Sequence, residues 1–228
     1  MNDSGMYRLL TWGSPSYPTG AFSYSHGLEW AVEAGTVTDL DSLQDYIEAV
    51  LRRGGGWIDA VLFVHVWRVA SLHGVSAELD ELLELASALR GSAETALESR
   101  QQGSAFLRVT RRAWPHALLD ELDTRLEDNP LAHCAAVAIA CAAHGIAPEQ
   151  ALHAYLHAFA ANLVSAGARL IPLGQTDAQI GIARLAALIT AVRDRALQTD
   201  LRDLGTAAPM LELSSLWHET QYTRLFRS

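Results

Sequence analysis

His153 and His157 lie four residues apart in a helical stretch, so both imidazoles project from one face, as two nitrogen ligands of a metal would. The residues between them read Ala-Tyr-Leu, without the glutamate that H-E-x-x-H supplies as a general base, and no third ligand lies nearby in sequence. His133, Cys134, Cys141 and His144 form a looser set one helix upstream, which could approach if the two helices pack antiparallel. Against this metal centre stands the plainer reading of amphipathic or satisfied core residues, which these residue types favour. Ser16, Ser23 and Ser25 stand near His26, but close neighbours on a helix do not share a face, and no G-x-S-x-G elbow occurs. Glu94 and Glu98 are carboxylates at i, i+4. The Glu-x-x-His spacing of a helical di-metal site is missing, so they read as a solvated helix face. Gly54-Gly55-Gly56 is too short for a phosphate loop and no lysine follows it, which excludes a nucleotide hydrolase.

The elements that must position these residues are helices. No stretch alternates in the strand period, and apolar residues recur at helical spacing almost throughout. Leu40, Leu43, Tyr46, Ile47, Val50 and Leu51 fall on one face of a helix expected to be capped by Thr38, with Arg52 and Arg53 in its last turn. The glycine run then reads as a plain break and a mobile bend. Trp57 to Leu72 is apolar on most sides, which predicts a helix covered on several faces; Asp59, His65 and Arg68 within it need partners. Helices follow over 76–89 and 93–109, and Asp120 to Asp128 reads as acidic and exposed. Asn129-Pro130 predicts the next helix start, before the alanine-dense run Leu131 to Ala143. Pro148 opens a helix to about Leu170, and Thr176 with Gln179 reads as a capping box before a helix over 180–197. The expectation is an all-α, single-domain helical bundle of roughly nine to eleven helices spanning residues 1–228, with no repeat and no dividing linker.

Composition narrows the class. Half the residues are hydrophobic, enough for a sizeable core, and the net charge of −9 leaves no basic stripe for nucleic acid. The two cysteines, seven apart in an apolar run, are too distant to bridge and read as buried free thiols of a reducing compartment. No basic region precedes a long apolar run at the start of the sequence. The most apolar segment falls short of the roughly 20 residues that span a bilayer, so a cytoplasmic protein with no membrane partner is expected.

One stretch breaks the helical rhythm: Gly13 to Trp30, GSPSYPTGAFSYSHGLEW. Ser14-Pro15 and Tyr17-Pro18 push the backbone toward extended geometry, and Gly20 forbids helix continuation. Helix is expected to resume from about Ser23 to Ala34, with Gly35 as its stop. At the other end a loop over 205–209 leads to a short helix and the segment His218 to Ser228. There Trp217, Tyr222, Leu225 and Phe226 mix with Glu219, Arg224 and Arg227. Aromatics and arginines suit partner recognition, and a tail docked on its own domain fits equally well.

Ser14, Pro15, Pro18, Gly20 to Ser23, Ser25 and Gly27 to Gly35, together with Gly205 to Pro209 and HETQYTRLFRS at the end, resemble the UreF family of urease accessory proteins. The resemblance runs the length of the chain and is strongest at its two ends. It implies an all-helical homodimer without a cofactor that bridges the accessory protein UreD (also called UreH) to the GTPase UreG during nickel insertion into apo-urease. Such a protein scaffolds and controls the GTPase cycle and is not itself an enzyme. The resemblance also implies a tail, about 205–228, that orders against a partner. Arg224 fixes its end, with Tyr222, His218, Glu219 and Arg227 at the interface and Tyr24, His26 and Glu29 contributed from the first string. Two alternatives remain: a small helical metalloenzyme using His153 and His157, and a generic helical adaptor.

Overall fold

The computed structural model describes residues 3–127 and 129–228, so Asp128 at the end of the acidic run lies outside the described residues. Among them every regular element is helical: α1 (Asp3–Trp12), α2 (Leu28–Glu33), α3 (Leu40–Arg53), α4 (Gly55–His73), α5 (Ala77–Ala88), α6 (Ala93–Ala113), α7 (Ala117–Leu126), α8 (His133–Ala143), α9 (Pro148–Leu170), α10 (Gln175–Arg184), α11 (Ala186–Gln198) and α12 (Pro209–His218). Two short 3-10 turns, Ala21–Ser23 and Leu201–Asp203, complete the set. α10 and α11 are one helix in the sequence pattern, interrupted at Leu185, which brings the segments within the expected range.

α4 is the axis of the bundle. It packs against α3, α5, α8, α9 and α11, and Leu62, Phe63 and Val64 are sealed from solvent. Each such side chain contributes about 1.5–3 kcal/mol on burial. The polar residues of α4 have partners, as burial demands. Asp59 pairs with Arg90, His65 Nε2 lies 3.0 Å from the Thr199 carbonyl, and Arg68 donates to the Leu197 carbonyl. The alanines of α8 allow close approach to α4 and α6: Ala135, Ala136, Ala138 and Ala140 are fully buried. Gly103 of α6 permits the tightest crossing, since a Cβ there would sit 2.0 Å from the Leu131 carbonyl oxygen.

The expected apolar face of α3 is the observed one, with Leu43, Tyr46, Ile47, Val50 and Leu51 buried and Leu40 at the margin. Several boundaries differ for local reasons. Asp39, not Thr38, caps α3, because its carboxylate accepts from the Ser42 amide at 2.9 Å. The glycine run is packed and helical from Gly55, with a Cβ on Gly56 only 3.0 Å from the Val50 carbonyl oxygen, so it is no mobile bend. α8 starts at His133, after Leu131 and Ala132 have been buried, and not at Asn129-Pro130. Asp177 accepts the Gly174 amide at 3.1 Å and starts α10 in place of the Thr176 box. The helix expected from Ser23 begins only at Leu28, since Tyr24 is extended and the chain turns over Ser25 to Leu28 before the helix.

Candidate functional site

The two segments that interrupt the helical pattern meet. His26 and Gly27 adopt left-handed conformations, φ 58° and 77°, and turn the chain from extended Tyr24 into α2. At Gly27 the α12 backbone lies so close that a Cβ would stand 3.0 Å from the Ser215 nitrogen, which requires glycine twice over. The 205–209 loop is tied to α3: the Ala207 amide and the Thr206 hydroxyl both donate to the Arg53 carbonyl. α12 then crosses α2 and α6, with Trp217 stacked on Trp30 at 4.4 Å between ring centroids and Ser215 Oγ 2.6 Å from Ser92 Oγ. Glu212 fills the space above Gly91 that any side chain would occupy.

Residues 219–228 are held down by buried acids. Glu29, at 6% exposure, accepts the Leu225 amide at 2.6 Å, the Phe226 amide at 2.9 Å and a contact from His218 Nε2 at 3.0 Å. His218 is fully buried, with its Nδ1 2.6 Å from Glu94 Oε2. Arg224 donates to the other Glu94 oxygen at 2.7 Å. The Arg227 amide donates to the Ser23 carbonyl, the Ser25 amide to the Ser228 carbonyl, both at 2.8 Å, and Ser228 Oγ to Glu98 at 2.8 Å. Phe226 is buried with the Arg169 guanidinium 4.3 Å over its ring; the same guanidinium covers Phe22 and donates to the Phe22 carbonyl.

Seven of the eight residues expected at a partner interface have polar partners within the chain, Arg224 and Arg227 while still exposed. Glu29, His218 and Tyr24 are buried, and the Tyr24 hydroxyl donates to Gln101. Glu219 accepts the Ala93 amide at the start of α6, Arg227 reaches Gln101 at 3.3 Å, and Arg224 is in its ion pair. His26 Nδ1 lies 3.6 Å from Glu98; burial pulls the His26 pKa down, but Glu98 and the Asp59 charge together reverse this and leave it raised. Tyr222 alone stands free in solvent. Glu94 and Glu98 correct the expectation of a solvated face: both are buried and organise the tail. Gln101 and Arg169 are parts of the site that sequence reasoning missed, and Ser25 and Glu94 were singled out without this role. The clue was the buried face of α6, where carboxylates recur at i, i+4 beside small residues.

Behind this layer lies a buried polar chamber. Arg90 pairs with Asp59 at 2.7 Å, and the Tyr155 hydroxyl donates to the same carboxylate at 2.7 Å. Burial pushes the Asp59 carboxyl up, but Arg90 and its hydrogen bonds more than reverse this, leaving it below the usual range. Burial pushes His133 down to about 4, so its imidazole is neutral at neutral pH. Burial likewise pushes the Cys134 and Cys141 thiols up, which keeps both in the unreactive form. A cavity of about 250 Å³ opens from this chamber between Tyr17, Phe22, Gln102 and Phe159.

His153 and His157 do share a face, and they line a separate apolar groove of about 500 Å³ between α1 and α9, with Arg193 beside them. His144 is turned away to the Trp114 carbonyl, and His133 stacks on Tyr155. Among the described residues no three His, Cys, Asp or Glu side chains converge as metal ligands. Nor is any helix among them long and apolar enough to cross a membrane.

A family model described as UreF matches residues 37–186. Similarity to individual proteins extends over both terminal strings. The urease accessory protein UreF of Granulibacter bethesdensis is 51% identical over 226 residues, 99% of this chain and 95% of the relative. That of Rhodopseudomonas palustris (strain BisB5) is 48% identical over 227 residues, 99% and 92% of the two chains. That of Bradyrhizobium sp. (strain BTAi1) is 46% identical over 228 residues, 100% and 94%. An all-helical bundle whose two signature strings are stitched together, matched across nearly its whole length by such relatives, belongs to the UreF family of urease accessory proteins.

Proposed function

We propose that this chain is a scaffold of urease maturation in the cytoplasm. It works as a homodimer that holds a UreD/UreH-type accessory protein and the UreG GTPase together while nickel is inserted into apo-urease. It acts by presenting surfaces and timing the GTPase, and forms or breaks no covalent bond itself. The observation that carries the reading is the state of the tail. Its polar backbone and acid-binding groups are spent inward, while Trp217, Tyr222 and Leu225 are left exposed, beside exposed Phe22 on the turn beneath. Exposed aromatic side chains on a pre-ordered segment are what a high-affinity interface uses, since binding then costs little ordering entropy. The domain organisation expected from sequence, one helical body with a partner-binding tail at about 205–228, belongs to the same proposal.

The test is capture of the UreD/UreH-type partner by purified chain carrying Tyr222→Ala with Leu225→Ala. Both side chains lie mostly in solvent, so helicity and melting temperature should be unchanged. Loss of two aromatic or aliphatic anchors should weaken capture by about tenfold or more. Capture at full strength would remove the tail from the interface. GTP turnover by the isolated chain would refute the scaffold reading itself.

A further inference from the structure

His218 is held between two carboxylates. Its side chain is fully buried, and both ring nitrogens point at carboxylate oxygens, Nδ1 at Glu94 Oε2 (2.6 Å) and Nε2 at Glu29 Oε2 (3.0 Å). A neutral imidazole has one N–H and one lone pair, and an ionised carboxylate only accepts. One of the two contacts would then set a lone pair against an anion inside a site closed to water. Satisfying both needs one further proton, either on the ring or on a carboxyl group it faces.

The surrounding charges agree. α2 supplies Glu29, whose remaining hydrogen bonds come from the neutral Leu225 and Phe226 amides. α6 supplies Glu94, whose other oxygen is taken by Arg224. Glu98, also on α6, is engaged by Ser228 and Gln102, Glu33 of α2 by Gln221, and Glu219 by the Ala93 amide. Among the described residues, no cation other than Arg224 touches the two acids that face His218. With the proton, two anions meet two cations; without it, one negative charge is left buried and uncompensated, which is costly.

We propose that the docked tail is a proton-operated latch, with His218 as its pin. Docking of residues 219–228 takes up a proton, so by linkage it weakens as pH rises and tightens as pH falls. The consequence for partner capture rests on the scaffold reading above. The latch itself is a property of the isolated chain and stands or falls without it.

The experiment is a pH series from about pH 6 to about pH 9 on the full chain, a range in which histidine is the side chain that ordinarily titrates. Nuclear magnetic resonance of 15N-histidine reads the charge of the His218 ring. Amide exchange, corrected for its intrinsic pH dependence, reads tail docking at Leu225 and Phe226. Expected is a doubly protonated ring, or a shared proton on one of its contacts, while the tail is docked, and a fall in protection of about tenfold or more across the series. Core amides of α4 should hold their protection. Glu94→Gln gives the converse: its amide can donate to the Nδ1 lone pair while its oxygen still accepts from Arg224, so docking should lose most of its pH dependence. Constant protection in the unmodified chain, or a neutral ring with ordinary carboxylates beside a docked tail, would overturn the proposal whether or not the variant folds.

Discussion

Removing the Glu29 carboxylate should release the tail and leave the bundle standing. In Glu29→Ala, two backbone N–H groups and one face of His218 lose their acceptor at once. Hydrogen bonds to a charged group contribute about 1.5–3 kcal/mol each. A tail that stayed docked would therefore carry a penalty well above what docking returns. That return is modest: burial of Phe226 contributes about 1.5–3 kcal/mol and each remaining hydrogen bond about 1 kcal/mol net. The chain should choose undocking. Global stability then falls by roughly 2–4 kcal/mol, a drop in melting temperature of about 5–15 °C for a domain of this size. Glu29→Gln should rescue little, because its NH2 group would face either the Leu225 N–H or, flipped, both the Phe226 N–H and the His218 ring. Amide exchange and thermal denaturation read the two effects separately. Protection at Leu225 and Phe226 should collapse while α4 and α8 remain protected. A melting temperature within about 1 °C of the parent, with those two amides still protected, would refute the claim that this one carboxylate holds the tail.

Gly103→Ala should prevent α6 from seating against the turn into α8, because the new methyl group would meet the Leu131 carbonyl at 2.0 Å. A loss of several kcal/mol in urea denaturation is expected, whereas a change under about 0.5 kcal/mol would show that the turn yields. Asp59→Ala strands the Arg90 guanidinium in the interior and should cost about 3–5 kcal/mol; a neutral result would mean that Arg90 finds another partner or reaches water. His133 binds a proton in the unfolded chain below about pH 6.5, but in the folded one only near pH 4. Its contribution therefore makes stability fall as pH drops through that window, and His133→Phe, if it folds, should flatten that part of the stability profile.

The helical pattern and the apolar face of α3 were legible because helix periodicity and burial coincide there: Leu43, Ile47 and Val50 recur at the spacing of one face and are all sealed. The encirclement of α4 was legible for the same reason, since a helix apolar on most sides must be covered on most sides. Caps were less legible. Thr38 and Asp39 are both competent acceptors, and only the folded chain shows that it is the Asp39 carboxylate that reaches the Ser42 amide. Asn129-Pro130 carries a start signal that burial of Leu131 and Ala132 overrides. At the site, the tail residues and Glu29 could be named from the strings that carry them. Their purpose could not, because exposure decides between recognition and fastening, and sequence carries no exposure for an aperiodic segment.

What the sequence determined by itself was the class of molecule: helices throughout, an acidic surface, no phosphate loop, and two unusual strings at opposite ends. These are local properties, set by side-chain periodicity, by proline and glycine, and by net charge. Only the tertiary structure decided that the two strings are one site. Glu29 and Leu225 are 196 residues apart along the chain, Glu94 and Arg224 130 apart, and each pair makes a single hydrogen bond. No local rule links partners at such separation. They are brought together because α12 can cross α2 at a glycine, and because a carboxylate shut away from water must find donors wherever the fold supplies them.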